Sequence, residues 1–328
     1  MVNGAPGSAW SSLRVTATGQ AEERMLRGTP AFGDETPLRA DHLFDLASLT
    51  KMFTTVAALR LVDEGRVDLD APVSDTVRVG RGAAAAAITL RHLLTHTSGL
   101  PAEGALWRRG LTGEALRAGV LQSELIAAPG SSHCYSDVGF IAVGVLLERI
   151  TARSLDSLIG DVAAALGADD LTWRPDPELA VATETQPGRG PIRGEVHDEL
   201  AAALGRPAGH AGLFGTADDI GALARMIRDR GAGPSTRVLS EESVRLMSTP
   251  VAQAEAGYGQ AVGLRVRDAA WMGRLDAIGH TGFTGTCFAV CPASGGYGVL
   301  LVNRVHPSRV DADISETRRS FLARIATE

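Results

Sequence analysis

The chain has 328 residues, 45% of them apolar and 21% charged, with a formal net charge of −6; this is the profile of an ordinary soluble globular protein of roughly two domains. No basic block or aromatic-interleaved basic stripe points to nucleic acid, and no apolar run of roughly 18 residues marks a membrane span. The three cysteines, Cys134, Cys287 and Cys291, are odd in number and sparse, which fits free thiols in a reducing compartment; MVNGAPGSAWSSLRV shows no charged-then-apolar leader, so the expected location is cytoplasmic.

SSLRVTATGQ and ERMLRGTPAF alternate in hydropathy and predict two antiparallel strands. SLTKMFTTVAALRLVDEG predicts a helix from about Ser48 to Glu64, stopped by Gly65. Its apolar residues run nearly all round, so it is expected to be buried. RGAAAAA (81–87) reads as a solvated loop or frayed turn. From about 88 to 233 the patterns are mostly helical. TLRHLLTHTSGL gives a short helix, SDVGFIAVGVLLERIT a longer one from Asp137 to Ile150, and TADDIGALARMIRDRG one with acids in its first turn, as the helix dipole favours. Residues 172–212 read as long loops. After residue 255 the period becomes that of short strands in an antiparallel meander, and an amphipathic helix from about Val310 to Ala326 ends the chain. The expected class is α/β (α+β): an antiparallel sheet from both termini (1–75 and 235–328), flanked by helices, with a mainly helical inserted domain over 76–234.

One lysine stands out. Lys51 is the only lysine in the chain; the remaining basic residues are all arginine. A guanidinium keeps the charge but cannot give up its proton, whereas a buried ε-amine can be shifted toward neutrality and act as a base. Ser48 lies three residues upstream, one helical turn away, at a helix start whose N–H groups favour developing negative charge. Nucleophile, base and part of an oxyanion site are thus available within four residues, against the plainer reading of a capping serine and a solvated lysine. HCYSDVGF places Tyr135 just before a helix, and GHTGFTGT puts His280, Thr281 and Gly282 on a strand, where glycines often mark close approach of a ligand.

Ser48-x-x-Lys51, Tyr135-Ser136-Asp137 and His280-Thr281-Gly282, in that order, resemble the serine β-lactamase and penicillin-binding-protein superfamily with its S-x-x-K, Y-S-N and K-T-G signatures. The tyrosine points to the class C β-lactamase-like branch of esterases, D-aminopeptidases and transacylases. LFDLASLTK, LRHLLTHTSGL and GHAGLFGTADDI resemble that branch's sequence around the motifs. The resemblance implies that Ser48 takes the acyl group, Lys51 eases its deprotonation and Tyr135 shuttles the proton. It implies an oxyanion hole from the backbone N–H groups of Ser48 and Phe283, each worth about 3 kcal/mol of barrier. Asp137, His280, Thr281 and Gly282 would contact substrate. His210 would border the pocket and Trp107 would line the acyl side, each against a simple packing role. Two departures matter. Asp137 stands where Asn is usual, and His280 replaces the Lys of K-T-G, a weaker cation that favours esters or uncharged amides over β-lactams. The stretch before Ser48 is short for the family, which leaves a sheet edge exposed or paired in a dimer.

The reading is a serine hydrolase acting on a small-molecule ester or amide, with no metal or organic cofactor, as monomer or homodimer. The alternatives are a transacylase that passes the acyl group to an amine or alcohol, and a non-catalytic binding or scaffold protein on the same fold. His92 and His96 have the spacing of a helical metal pair, but no third ligand is evident and a helix end with its turn is the better reading.

Overall fold

The computed structural model describes residues 7–16 and 22–325. The strands β1 (Ala9–Val15), β2 (Glu22–Gly28), β3 (Ala252–Gln253), β4 (Gly259–Gln260), β5 (Arg265–Val266), β6 (Ile278–Thr281), β7 (Cys287–Val290) and β8 (Tyr297–Val302) form one antiparallel sheet, in the order β2-β1-β8-β7-β6-β5-β4-β3. Strands from the N-terminal and C-terminal parts of the chain therefore lie side by side: β1 pairs with β8, Leu13 opposite Val299. The helices are α1 (Thr50–Asp63), α2 (Leu90–Leu94), α3 (Gly113–Leu121), α4 (Asp137–Thr151), α5 (Leu155–Leu166), α6 (Glu199–Leu204), α7 (Ala217–Arg228), α8 (Glu241–Ser248), α9 (Ala269–Met272) and α10 (Ser315–Leu322).

The central strands are covered on both faces, which is why they read as continuous apolar runs and not as an alternation. On β8, Tyr297, Val299 and Leu301 join the main core with α7, while Leu300 and Val302 pack with Trp271, Phe321 and Leu322 of α9 and α10. On the main-core side, α1 is the central helix. Every residue from Thr50 to Leu59 is buried, and its neighbours are α4 and α5. The all-round apolar character seen in the sequence is thus the mark of a helix enclosed on every side.

Helices α2 to α7 fall within 76–234, the span expected to be a helical insert. Of these, α7 packs directly on β1, β7 and β8. The last helix starts at Ser315 and not near Val310, because Asp313 Oδ1 accepts from the Ser315 N–H and hydroxyl and sets the start there. A one-turn 3₁₀ segment over 323–325 follows, and Ala326 lies outside the described residues. The alanine run is a 3₁₀ turn, Ala83–Ala87, with only Ala85 buried. GYGQAVGLRVR is broken into β4 and β5 by a turn in which Gly263 has φ +76°. Among the described residues no helix is long and apolar enough to cross a membrane.

Candidate active site

A two-residue pairing missed in the sequence sets the position of Ser48. Phe44–Asp45 pairs antiparallel with Phe214–Gly215, so LFDLASLTK lies against GLFGT. Asp45 is buried, and its carboxylate accepts from the Ala47 N–H at 2.8 Å and the His197 N–H at 2.7 Å. Ala47 is held at φ +47°, the left-handed region that non-glycine residues rarely adopt. Ser48 follows within the 3₁₀ turn Ala47–Leu49 that leads into α1.

Lys51 is wholly buried one turn later. Its Nζ lies 3.0 Å from Ser48 Oγ, 3.0 Å from the His210 carbonyl and 2.7 Å from Asp137 Oδ1. The first two accept hydrogen bonds from it and the third is an ion-pair partner. Burial alone would lower its pKa, but the Asp137 carboxylate and the Tyr135 phenol outweigh burial and raise it. Contrary to the expected amine shifted toward neutrality, the Asp137 carboxylate beside Nζ favours the ammonium.

Tyr135 and Asp137 are aimed by the residue between them. Ser136 caps α4, its Oγ accepting from the Gly139 N–H and donating to the Pro101 carbonyl at 2.6 Å. The Ser136 N–H donates to His96 Nδ1 at 3.0 Å. Tyr135 then sits in a cage. The His96 ring centroid is 4.4 Å from its own, the His280 ring 5.8 Å, Lys51 Nζ 4.9 Å and Arg265 Cζ 5.2 Å. Arg265 was not foreseen. It lies on β5 opposite Gly279, pairs with Asp268 at 3.0 Å and faces Tyr258 as well. Burial lowers the Arg265 pKa, but Tyr135, Tyr258 and Asp268 together raise it.

His280 is buried at the end of β6, and its Nδ1 donates to the Thr281 carbonyl at 2.8 Å. Burial, reinforced by Arg265 and Lys51, pushes its pKa well below the ordinary value. His280 is therefore a neutral imidazole at pH 7, and the cation beside Tyr135 comes from the neighbouring strand. Arg265, on the strand next to that of His280, is the cation that lies over the Tyr135 ring.

After β6 the chain turns tightly against the nucleophile. Thr284 Oγ1 donates to the Asp45 carbonyl and Thr286 Oγ1 to that of Leu46. A Cβ on Gly282 would lie 2.0 Å from Thr286 Oγ1 and 2.6 Å from the Leu46 oxygen, so only glycine fits. The Phe283 N–H has no acceptor among the described residues. Its ring, 46% exposed, stacks on His197 at 5.6 Å.

His210 enters through its main chain, as an acceptor for Lys51. Its ring is buried and bonded to Asp198 at 3.0 Å. Burial would raise Asp198, and His210 outweighs that to hold it well below the carboxylate range. Trp107 lies on the 3₁₀ segment Ala105–Arg109, against Arg108 and the edge of the core. His92 completes a capping box with Thr89 and has no part in the site. His96 does: the turn after α2 holds it at φ +57° under Tyr135.

A family model described as Beta-lactamase matches residues 6–322. A putative D-alanyl-D-alanine carboxypeptidase of Escherichia coli (strain K12) is 30% identical, over 84% of this chain and 73% of that protein. Among solved structures, EstCE1, described as a hydrolase with promiscuous acyltransferase activity, superposes with TM-score 0.79 at 22% identity, over 97% of this chain and 93% of its own. A class C β-lactamase from Rhodobacter sphaeroides gives TM-score 0.75 at 20% identity, over 96% and 93%. The chain belongs to the β-lactamase family of serine hydrolases and transpeptidases, and its fold is that of the class C β-lactamase.

Proposed function

We propose that this β-lactamase-family protein is a serine hydrolase that cleaves a small ester or amide through an acyl-Ser48 intermediate. The observation that carries this reading is the buried Lys51 ammonium, which joins Ser48 Oγ at 3.0 Å to Asp137 at 2.7 Å. A charged Lys51 donates to Ser48 and cannot take its proton, so the base is the Tyr135 oxygen. As Ser48 Oγ bonds to the carbonyl carbon, its proton passes to Tyr135 and the carbonyl π pair moves onto oxygen. The N–H groups of Ser48 and Phe283 hold that oxyanion. Lys51 Nζ and Arg265 Cζ lie 4.9 Å and 5.2 Å from the Tyr135 ring centroid, so both cations face the group that relays the proton. Collapse of the intermediate expels the leaving group, which receives the proton from Tyr135. Deacylation repeats the cycle with water in place of Ser48.

An amine or alcohol in the place of water makes the same cycle a transacylation, and the likeness to a hydrolase with acyltransferase activity favours testing it. The test is intact mass after brief exposure to p-nitrophenyl butyrate, with Ser48→Ala alongside. The expected result is one butyryl adduct on the peptide holding Ser48, absent in the variant. Discharge by water, amines and alcohols then separates hydrolysis from transfer. A chain that neither forms an adduct nor consumes the ester is a binding protein on this fold.

A further inference from the structure

We propose that Arg318, a residue of the C-terminal helix, is a positioning residue for the oxyanion hole, holding and polarising the peptide group whose N–H belongs to Phe283. This rests on the acyl-Ser48 reading above, which makes that N–H an oxyanion donor.

The geometry is that of one peptide bond. Arg318 Nη2 donates to the Gly282 carbonyl at 3.1 Å and to the Thr286 carbonyl at 3.0 Å. The Gly282 carbonyl and the Phe283 N–H are two ends of the same peptide group. Among the described residues the only cis peptide is His306–Pro307, so this one is trans and its carbonyl and N–H point in opposite directions. Fixing the carbonyl on Arg318 therefore fixes the N–H on the other side, where it meets no protein acceptor. The next carbonyl is held likewise: Arg304 Nε donates to the Phe283 oxygen at 2.7 Å, and Arg304 lies over the Phe283 ring at 4.8 Å. The Gly285 N–H, at 3.2 Å, also donates to the Gly282 oxygen and closes the turn. Two guanidiniums thus draw two successive carbonyls of this turn toward themselves.

The charge state makes a purely structural tie an incomplete account. Arg304 donates to the carbonyls of Phe283 and Ala312, and Arg318 to those of Gly282 and Thr286; among the described residues neither has a carboxylate within ion-pair distance. Arg318 Nε is buried without a partner. Keeping an unneutralised guanidinium partly out of water is costly, and a neutral donor would tie the helix to the turn at lower cost. A positive charge bonded to the carbonyl end of a peptide draws electron density from the N–H end. That strengthens the donor where negative charge grows in the transition state.

The test compares Arg318→Met and Arg318→Lys with the unsubstituted protein. The readouts are p-nitrophenyl butyrate turnover and inhibition by phenylboronic acid, whose Ser48 adduct carries the tetrahedral oxygen. Loss of the charge is expected to lower kcat by about tenfold or more with KM little changed, and to weaken phenylboronic acid by a similar factor. Lysine recovers part of both. In a ¹³C-edited infrared spectrum the acyl-Ser48 carbonyl band moves to higher frequency in Arg318→Met, reporting a weaker oxyanion donor. If Arg318→Met does not fold, Arg318→Gln, which keeps a donor without charge, carries the same expectations. A folded uncharged variant with unchanged kcat, boronate affinity and carbonyl frequency overturns the assignment, as does a change confined to KM. If the unsubstituted protein forms no acyl-Ser48 at all, it is the acyl-enzyme reading that has failed and not the role of Arg318 within it.

Discussion

Asp137→Asn decides what Lys51 does, because the two available roles predict opposite outcomes. The carboxylate lies 2.7 Å from Nζ, with the lysine fully buried and Asp137 about one quarter exposed. Coulomb's law at an effective dielectric of about 20 gives ~6 kcal/mol for unit charges at that separation. Partial exposure of Asp137 and the dipole of the replacing amide reduce the net change to ~2 kcal/mol, which is roughly one to two pH units in the lysine pKa. In the unsubstituted chain the pKa is raised above 10.5, so the alkaline limb of kcat/KM attributable to Lys51 lies beyond the usual assay range. In Asp137→Asn that limb moves toward lower pH, because the carboxylate that favours the ammonium is gone. The assay is the pH profile of p-nitrophenyl butyrate hydrolysis between pH 6 and 10. If Lys51 works as a cation supporting Tyr135, the variant loses activity above the shifted pKa and gains none at neutral pH. If it works as a neutral base, the variant becomes faster at pH 7 to 8, and a gain there refutes the reasoning.

Lys51→Arg keeps the charge but not an ammonium with three convergent donors in a closed site; turnover is expected to vanish while circular dichroism stays that of the folded protein. Tyr135→Phe removes the proton carrier, so acylation by an unactivated amide should slow by about 10²-fold or more, with a smaller effect on a p-nitrophenyl ester, whose leaving group needs no proton. Gly282→Ala places a methyl 2.6 Å from the Leu46 oxygen and should cost both activity and several kcal/mol of stability, read by urea unfolding. Stability should also fall with acid in two stages. His96 and His280 have pKa values well below 6.5 when folded, so the unfolded chain binds the extra protons first and stability declines as pH drops below about 6.5. Glu184 is held at about 2 when folded against 4.5; its stabilisation is full above 4.5 and is lost as pH falls toward 2, a loss that Glu184→Gln should remove.

What was legible in the sequence is what local pattern determines. α1 and α4 announced themselves by unbroken apolar runs with a clear stop or a capping serine. The two-termini sheet followed from strand-like stretches at both ends. Other helices went unnamed although their signals were present. α3, α5 and α8 follow Thr112, Ser154 and Ser240, and the two serines do cap their helices. The pairing of Phe44–Asp45 with Phe214–Gly215 gave no sign, since two residues have no period. In the site, Ser48, Lys51, Tyr135 and Asp137 carry their own spacing. Arg265 does not: it is one of many arginines, and only the register of β5 against β6 brings it beside Tyr135. His96 was visible only as half of an apparent metal pair, because its contact with Tyr135 depends on the turn after α2.

The departures from the family's usual motifs are best understood together, by charge. A lysine in place of His280 would add a third cation to Lys51 and Arg265 around one phenol ring. With a neutral imidazole there, two cations remain. Asp137 neutralises one of them by direct contact, and Asp268 pairs with the other at 3.0 Å. The asparagine-to-aspartate change and the lysine-to-histidine change therefore act in the same direction, lowering the positive charge around Tyr135, while Arg265 stays beside its ring. This predicts that the positions are coupled. Asp137→Asn and His280→Lys each raise the local charge, and the double variant should lose more activity than the sum of the single effects, since both act on one phenol. Measured kcat/KM for the four proteins of that cycle gives the coupling energy directly. A value near zero would mean that Asp137 and His280 serve separate purposes, and the charge argument would fail.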